Sequence, residues 1–287
     1  MALSKIIIRL LRPRHWIKNL FIIAPLIFSN SFTDQANIYR SVLAVAIFSF
    51  IASGVYIIND IADISYDRLH TIKKNRPLAR GDISISKALA IAFFIVVLSL
   101  YAAFIFSFEF FVLSLGYILI NILYTFWFKK VFLIDMFFVS LGFVIRVLIG
   151  IVVINAFISP WIIVETFFLA YFLVSSKRLM ELRLLEHDAV AKHLRSPVYT
   201  EPFLEQVVFS SAIFTSVIYM LYAVEIKSPI FIITFLPVIY GLFRFFWLVQ
   251  GRVTALSNPT DIIFEDKHLQ FTVLIFVISV IIILSLF

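Results

Sequence analysis

The chain has 287 residues, of which 62% are hydrophobic and only 14% are charged. A soluble domain carries roughly 25% charged residues, so this composition excludes a soluble globular protein and indicates a polytopic membrane protein. The chain contains no cysteine, which excludes a small secreted fold held together by disulfides.

Apolar stretches long enough to cross a bilayer predict an all-α membrane protein. A helix that crosses about 30 Å of hydrocarbon needs about 20 apolar residues. In chain order, the sequence predicts nine spans, the first of which begins near Pro13: 17–29, 41–58, two within 88–128, two within 131–176 divided at 155–160, then 206–224, 229–249 and 269–287.

Basic residues cluster between alternate spans, and this asymmetry predicts the topology. They concentrate in the N-terminal segment and in the loops 59–87 and 177–205, whereas the loops on the other side are nearly free of them. The positive-inside rule therefore places the N-terminus and both long loops in the cytosol. Nine spans then place the C-terminus on the opposite side of the cell inner (plasma) membrane.

Three aspartates follow the second predicted span. Asp60, Asp63 and Asp67 are spaced at i, i+3 and i+7, so on one continuous helix they would share a face. Oxygen donors without histidine or cysteine favour Mg²⁺. We therefore predict that these aspartates are the metal-binding and catalytic residues, the alternative being a solvated acidic turn at a helix end.

A basic run comes directly after the aspartates and contains Lys73, Arg76 and Arg80. Carboxylates that hold Mg²⁺, followed by cations that neutralise phosphate oxygens, are typical of a site for a metal-bridged diphosphate. The alternative is that these cations only set the membrane topology.

The pattern NDxxDxxxD, formed by Asn59 and the three aspartates, resembles the first motif of the UbiA superfamily of intramembrane prenyltransferases. The run from Lys73 to Leu78 is similar to the KRxRPL run of that family. The resemblance covers essentially the whole chain. It implies one domain over residues 1–287, a nine-helix bundle with a cytosol-facing active-site cavity capped by the loops 59–87 and 177–205, and Mg²⁺-dependent transfer with diphosphate as leaving group.

A second motif departs from the commoner members of the family. Where aromatic prenyltransferases carry another DxxxD motif, this chain has Lys177, Arg178 and Glu181. The KRxxEL pattern is similar to the decaprenyl-phosphate phosphoribosyltransferase branch, as are the segments 12–19, 134–146 and 258–262. That branch implies transfer of 5-phosphoribose from phosphoribosyl diphosphate (PRPP) to a polyprenyl phosphate. The alternative is prenyl transfer from a polyprenyl diphosphate to an aromatic or other small acceptor.

The resemblance also guides the choice of residues that bind substrate. Arg14 and Lys18 are four residues apart, so on an α-helix they share a face and could clamp a phosphate or anchor the span at the lipid surface. Arg146, within a span, could pair with Glu165 as a structural link or could contact the substrate. The full set of substrate-binding candidates is Arg14, Lys18, Asn59, Lys73, Arg76, Arg80, Tyr124, Asp135, Lys177, Arg178 and Glu181.

The expected partners are PRPP, a polyprenyl phosphate and membrane lipids, with a possible homo-oligomer and a role in cell envelope biosynthesis. Nothing in the sequence indicates a nucleic-acid partner. A transporter would place ionisable groups near the bilayer midplane. Here nearly all of them are predicted at one membrane face, which favours an enzyme.

Overall fold

A computed structural model describes residues 3–69, 73–157, 159–186, 199–226, 229–251 and 259–286. These residues form helices and connecting turns, and no strand occurs among them. The helices are α1 (Leu3–Leu11), α2 (Ala24–Phe28), α3 (Gln35–Ala62), α4 (Ile64–Leu69), α5 (Pro77–Arg80), α6 (Ile85–Phe106), α7 (Phe108–Phe126), α8 (Ile134–Ile154), α9 (Pro160–Glu186), α10 (Glu201–Glu225), α11 (Phe235–Gly251), α12 (Pro259–Glu265) and α13 (Lys267–Leu286). 3₁₀ segments occur at Pro13–Ile23, Ser31–Thr33, Lys73–Asn75, Phe128–Lys130 and Pro229–Thr234.

Seven helical segments within the described ranges are long and apolar enough to cross a membrane, and they confirm the multi-pass prediction. They are α3, α6, α7, α8, α10, the segment Pro229–Gly251 and α13. The other two predicted spans are not among these seven segments. The first is a 3₁₀ segment followed by the short α2, and the sixth lies within α9, whose C-terminal part is strongly charged. The count of nine membrane-spanning helices is therefore not confirmed.

Local residues explain two of the turns between helices, and the second of these confirms the predicted division at 155–160. The α6–α7 hairpin turns at Ser107, whose hydroxyl accepts a hydrogen bond from the Phe110 N–H (3.0 Å) and so caps α7. The break between α8 and α9 begins at Asn155, which adopts the left-handed conformation (φ 50°) that asparagine tolerates. Pro160 then begins α9, where its fixed φ suits the first helical turn.

The chain divides into two compact units. The first comprises Met1–Leu26, Ser31–Phe138 and Ile145–Ala156, and the second comprises Ile27–Asn30, Val139–Val144 and Phe157–Phe287. The single domain over residues 1–287 remains a prediction. Of the two long charged loops, residues 70–72 and 187–198 lie outside the described part of the chain, as does Asn258 of the motif 258–262.

The first unit is built around α3, which packs against α1, α6, α7 and the segment Pro13–Ile23. Its apolar core includes Phe48 and Phe110, both fully buried. Two glycines permit close helix approach. A Cβ at Gly54 would lie 2.3 Å from the Val96 side chain, and one at Gly150 would lie 2.2 Å from the Ile22 carbonyl oxygen.

In the second unit, α9 packs along α10, and α11 packs against both α10 and α13. Arg183 links the ends of three of these helices. Its guanidinium pairs with Glu201 and Glu205 at the start of α10 and donates to the Val249 carbonyl near the end of α11 (2.9 Å). These partly buried contacts hold the C-terminal part of α9, where the second charged motif lies.

Candidate active site

The acidic motif lies where α3 ends. Asp60 is in the last turn of α3, Asp63 is its C-cap residue (φ −98°, ψ 4°), and Asp67 is in α4. The expectation of one continuous helix is therefore wrong, because the backbone at Asp63 departs from helical geometry. The Asp67 N–H still donates to the Asp63 carbonyl (2.8 Å), so α4 follows directly from this break. Asp60 and Asp67 are each only 3% exposed.

Arginines neutralise these two buried carboxylates. Arg76 Nη1 donates to Asp60 Oδ1 (3.0 Å) and to Asp67 Oδ2 (2.6 Å), so one nitrogen links both groups. Pro77 holds Arg76 in an extended conformation (ψ 144°) ahead of α5. Arg12 also pairs with Asp60 Oδ1, which thus accepts from two guanidinium groups. Pairing of this kind offsets the cost of burying a charge.

The end of α7 supplies the contacts of Asp63 and Asn59. Lys129, in the 3₁₀ turn after α7, pairs with Asp63, and the Thr125 hydroxyl donates to the Asn59 side-chain oxygen. Lys129 is not among the site residues that the sequence predicts. One feature of the sequence could have identified it: Lys129 comes directly after a predicted span, on the same predicted membrane face as the acidic motif.

Arg12 is a second residue that the sequence interpretation did not select. It lies between α1 and the segment Pro13–Ile23 in a left-handed conformation (φ 52°, ψ 57°), which costs a residue with a Cβ about 1–3 kcal/mol. Its guanidinium carbon is 5.6 Å from the centre of the Tyr56 ring. Burial lowers the pKa of Arg12, and the Asp60 carboxylate opposes that shift. The side chain stays charged near neutral pH.

Arg14 and Lys18 lie on the segment Pro13–Ile23, which is a 3₁₀ helix. Residues three apart superpose in this helix, whereas residues four apart do not, so the expectation of a shared face is wrong. Arg14 is exposed and Lys18 is half-buried. Hydrogen bonds tie the segment to α3, from Trp16 to Ser53 and from Asn19 to Ser49 (both 2.9 Å).

The other first-unit candidates lie near helix ends. Lys73 is in the 3₁₀ turn that precedes α5, Tyr124 is in the last turn of α7, and Asp135 is buried in the first turn of α8. Arg80 pairs with Asp82 (3.4 Å). Among the predicted substrate-binding residues, Arg76 contacts two aspartates of the motif directly.

Arg146 is buried in α8 and belongs to a polar network within the first unit. Its Nε donates to Asn19 Oδ1 (2.8 Å) and its Nη2 to the Tyr117 hydroxyl (3.2 Å). The guanidinium also lies over the Phe48 and Tyr117 rings, 5.1 and 4.9 Å from their centres. These contacts favour the structural interpretation of Arg146, because they join α8 to α7 and to the segment Pro13–Ile23.

The second charged cluster lies on α9, in the second unit. Arg178 donates to one Glu181 carboxylate oxygen (3.0 Å), and Lys177 lies 3.6 Å from the other. All three side chains are partly exposed. Two cations share one carboxylate, so these three side chains together carry a net positive charge.

The donor set of the first unit fits a hard divalent cation. Asp60 and Asp67 offer oxygens only, and they are placed so that one positively charged nitrogen reaches both. Mg²⁺ commonly binds one or two carboxylates together with substrate phosphates. No group of three or more histidine, cysteine or acidic residues converges on a metal position within the described ranges. Asp63, which contacts Lys129, does not complete a three-aspartate set there.

Comparison with known proteins adds three findings. The sequence profile described as the UbiA prenyltransferase family matches residues 21–260. The decaprenyl-phosphate phosphoribosyltransferase of Mycolicibacterium smegmatis is 30% identical and covers 92% of this chain and 87% of its own. The Mycobacterium tuberculosis (strain ATCC 25618 / H37Rv) protein of the same name is 28% identical and covers 96% and 92%.

A solved structure shows the fold. The UbiA homolog from Archaeoglobus fulgidus bound to DMAPP and Mg²⁺ matches with a TM-score of 0.75, at 21% identity, over 98% of this chain and 99% of that one. At this identity the likeness concerns the arrangement of the helices and not the substrate.

Proposed function

The chain belongs to the UbiA prenyltransferase family, and from this membership we propose that it is a polyprenyl-phosphate phosphoribosyltransferase. The reaction would transfer 5-phosphoribose from PRPP to a decaprenyl-like polyprenyl phosphate and release diphosphate. The sequence relatives support this reaction, because relatives of 28–30% identity over nearly the whole chain are named decaprenyl-phosphate phosphoribosyltransferase. PRPP and the lipid phosphate would be its substrates, within the membrane lipids.

A lipid phosphate is already ionised, so its attack needs no strong base. One of its oxygens would form a bond to the anomeric carbon of the ribose, while the bond from that carbon to the diphosphate breaks. The task of the protein is then to position both anions and to stabilise the charge on the leaving group. The cations around the acidic motif, Arg12, Arg76 and Lys129, have the charge and placement for the diphosphate.

Asp60 and Asp67 would hold Mg²⁺, with Asp63 as a further ligand candidate. When bound, the ion would neutralise negative charge on the diphosphate oxygens. Asn59 would support the end of α3 through its hydrogen bond with Thr125. Tyr124, Asp135, Arg14, Lys18, Lys73 and Arg80 remain proposed substrate contacts.

The cluster of Lys177, Arg178 and Glu181 is the reason to propose PRPP, and not a prenyl diphosphate, as the donor. PRPP has a 5-phosphate in addition to its diphosphate, so its site needs more cation and less carboxylate than a site for prenyl diphosphate alone. The net positive charge of this cluster has the required sign. Lys177 and Arg178 would bind the 5-phosphate, and Glu181 would accept from a ribose hydroxyl.

We also propose that the reaction takes place at the cytosolic face of the plasma membrane, with the N-terminus in the cytosol. This orientation would bring PRPP, a water-soluble metabolite, to the basic face of the protein. A homo-oligomer remains possible, and a role in cell envelope biosynthesis would follow from a lipid-linked sugar product.

The second candidate is transfer of a prenyl group from its diphosphate to an aromatic or other small acceptor. The description of the matching family as prenyltransferases favours this candidate. Both reactions use a metal-bound diphosphate, so the acidic motif suits either one. The second charged cluster separates them.

The decisive experiment supplies the purified protein with Mg²⁺, ribose-labelled PRPP and decaprenyl phosphate. We expect labelled phosphoribosyl lipid. We expect Asp60→Asn or Asp67→Asn to lower the rate of its formation at least about 100-fold, since each removes a carboxylate that would hold Mg²⁺ at the leaving group. Glu109→Gln changes an exposed carboxylate at the start of α7 and serves as the matched control. No lipid product from PRPP, together with turnover of a prenyl diphosphate and an aromatic acid, would contradict the proposal.

A further inference from the structure

The acidic motif is neutralised by cations of the chain itself. Asp60 pairs with Arg12 and Arg76. Asp63 pairs with Lys129, and Asp67 pairs with Arg76. The side chains of Asp60 and Asp67 are only 4% exposed, so these cations lie where a metal ion would have to bind. A metal ion can therefore reach Asp60 Oδ1 or Asp67 Oδ2 only if a pair opens.

Asp60 Oδ1 is the most crowded of these oxygens. It accepts from both Arg12 and Arg76. A divalent cation that arrived alone would meet the repulsion of both guanidinium groups at short range. If the ion arrives with diphosphate, the anion gives a displaced guanidinium a new partner, and an arginine binds phosphate oxygens well.

Arg12 is better placed than Arg76 to leave. Arg76 bridges two carboxylates, so its departure would leave Asp67 without this partner, whereas after Arg12 leaves, Asp60 still has Arg76. The backbone of Arg12 is in the left-handed region, at the junction between α1 and the segment Pro13–Ile23. The helix on its other side, α1, is anchored independently, because Ile6 and Leu10 pack into an apolar cluster with Ile57 and Leu78.

We propose that Arg12 is a substrate-binding residue that occupies Asp60 before the substrate arrives and moves from Asp60 to the diphosphate when the metal–diphosphate enters. The inference rests on the proposed function in one respect, that the donor carries a diphosphate. Arg12 then weakens metal binding to the free protein and strengthens binding of the metal–diphosphate. It therefore couples metal binding to diphosphate binding, which a residue that only binds phosphate would not do.

The test compares the wild-type protein with Arg12→Gln in lipid nanodiscs, using Mn²⁺ as the metal and inorganic diphosphate as the anion. Electron paramagnetic resonance measures bound Mn²⁺ without diphosphate, and calorimetry measures diphosphate binding at saturating Mn²⁺. We expect the variant to bind Mn²⁺ alone about tenfold more tightly and diphosphate about tenfold more weakly, the size of one charged hydrogen bond. Arg9→Gln removes an exposed arginine of α1 and is the matched control, expected to change neither affinity.

Shifts of opposite sign support the proposal. If both affinities fall together, Arg12 has only a structural role, and if Mn²⁺ binding tightens without loss of diphosphate binding, Arg12 only shields Asp60. Either result overturns the proposal. Arg12→Lys covers the case that Arg12→Gln does not fold: it keeps the charge, so we expect Mn²⁺ affinity close to wild type, and a tenfold increase there contradicts the proposal.

The failure of this inference is distinct from the failure of the proposed function. Neither readout requires phosphoribosyl transfer or PRPP. If Arg12→Gln gives the two opposite shifts but the wild-type protein makes no phosphoribosyl lipid, the role of Arg12 stands and the proposed reaction is wrong. If the wild-type protein makes phosphoribosyl lipid but Arg12→Gln lowers both affinities, the proposed reaction stands and the proposed role of Arg12 is wrong.

Discussion

At Asp60, two guanidinium groups share one carboxylate oxygen, and this contact shows how the residues of the site depend on one another. Removal of a cation changes more than one contact, because Asp60 and Asp67 are buried and a buried carboxylate without its partner is costly. The effect of a substitution should therefore depend on whether the residue is paired with the acidic motif and not on its charge alone.

Lys129 and Lys130 provide a test of this dependence at the residue scale. Both follow α7, but Lys129 pairs with Asp63 whereas Lys130 is exposed. We expect Lys129→Gln to lower kcat/KM for PRPP by about tenfold or more, the effect of one lost charged hydrogen bond. Steady-state kinetics in nanodiscs measure the change.

Lys130→Gln removes the same charge from the adjacent position and should retain activity within about twofold, as expected for a screened surface charge. Equal losses in the two variants would show that only the total positive charge at this face matters, and would remove Lys129 from the site.

At the scale of helices, close backbone contact determines where the segment Pro13–Ile23 can lie. This segment is 11 residues of 3₁₀ helix, longer than such helices usually run. It is held by hydrogen bonds to α3 and by the bare surface of α8 at Gly150. Arg12 immediately precedes this segment, so the position of the segment also determines where Arg12 meets Asp60.

Gly150→Ala should destabilise the protein. The added methyl group would meet the Ile22 carbonyl oxygen at 2.2 Å and Pro25 at 2.8 Å, and overpacking of this kind costs about 1–3 kcal/mol. We expect a lower Tm in detergent, measured by intrinsic tryptophan fluorescence.

Gly116→Ala, in α7, is the matched control, because a Cβ there has no neighbouring atom within 4 Å. It should leave Tm unchanged or raise it, since alanine favours a helix over glycine by about 1 kcal/mol. If Gly150→Ala melts at or above the Tm of Gly116→Ala, the close packing of α8 against the segment Pro13–Ile23 is wrong.

At the scale of the whole molecule, scarce charge is concentrated in a few segments. The chain is 14% charged, and its basic residues cluster in the loops assigned to one membrane face. The same charges serve the proposed phosphate chemistry and the proposed topology, so an independent measure of orientation is valuable.

The absence of cysteine makes that measurement direct, because a single introduced cysteine is the only thiol. Phe157→Cys lies in the α8–α9 connection, where Phe157 is 94% exposed, and Lys87→Cys lies at the start of α6, where Lys87 is exposed. In intact cells, we expect a membrane-impermeant maleimide to label Phe157→Cys and to label Lys87→Cys only after permeabilisation. The reverse pattern would overturn the proposed orientation.

Much of the fold and part of the site could be read from local pattern. Apolar length predicted the spans that the structure confirms, and Asn155 with Pro160 predicted a helix break, because these are properties of short stretches of chain. Spacing alone could not predict the break at Asp63 or the 3₁₀ form of Pro13–Ile23. Apolar pattern does not distinguish a 3₁₀ helix from an α-helix when hydrogen bonds to another helix hold the segment.

The sequence by itself determined the all-α membrane class, the family resemblance, the acidic motif and the positions of most helices. Only the tertiary structure decided which cations meet the aspartates. Arg12 pairs with a residue 48 positions away and Lys129 with one 66 positions away. Such contacts depend on how α3 packs against the segment Pro13–Ile23 and α7, and on glycines that permit close approach. Buried carboxylates then select the cations that this packing brings within reach, because a buried charge without a partner is costly.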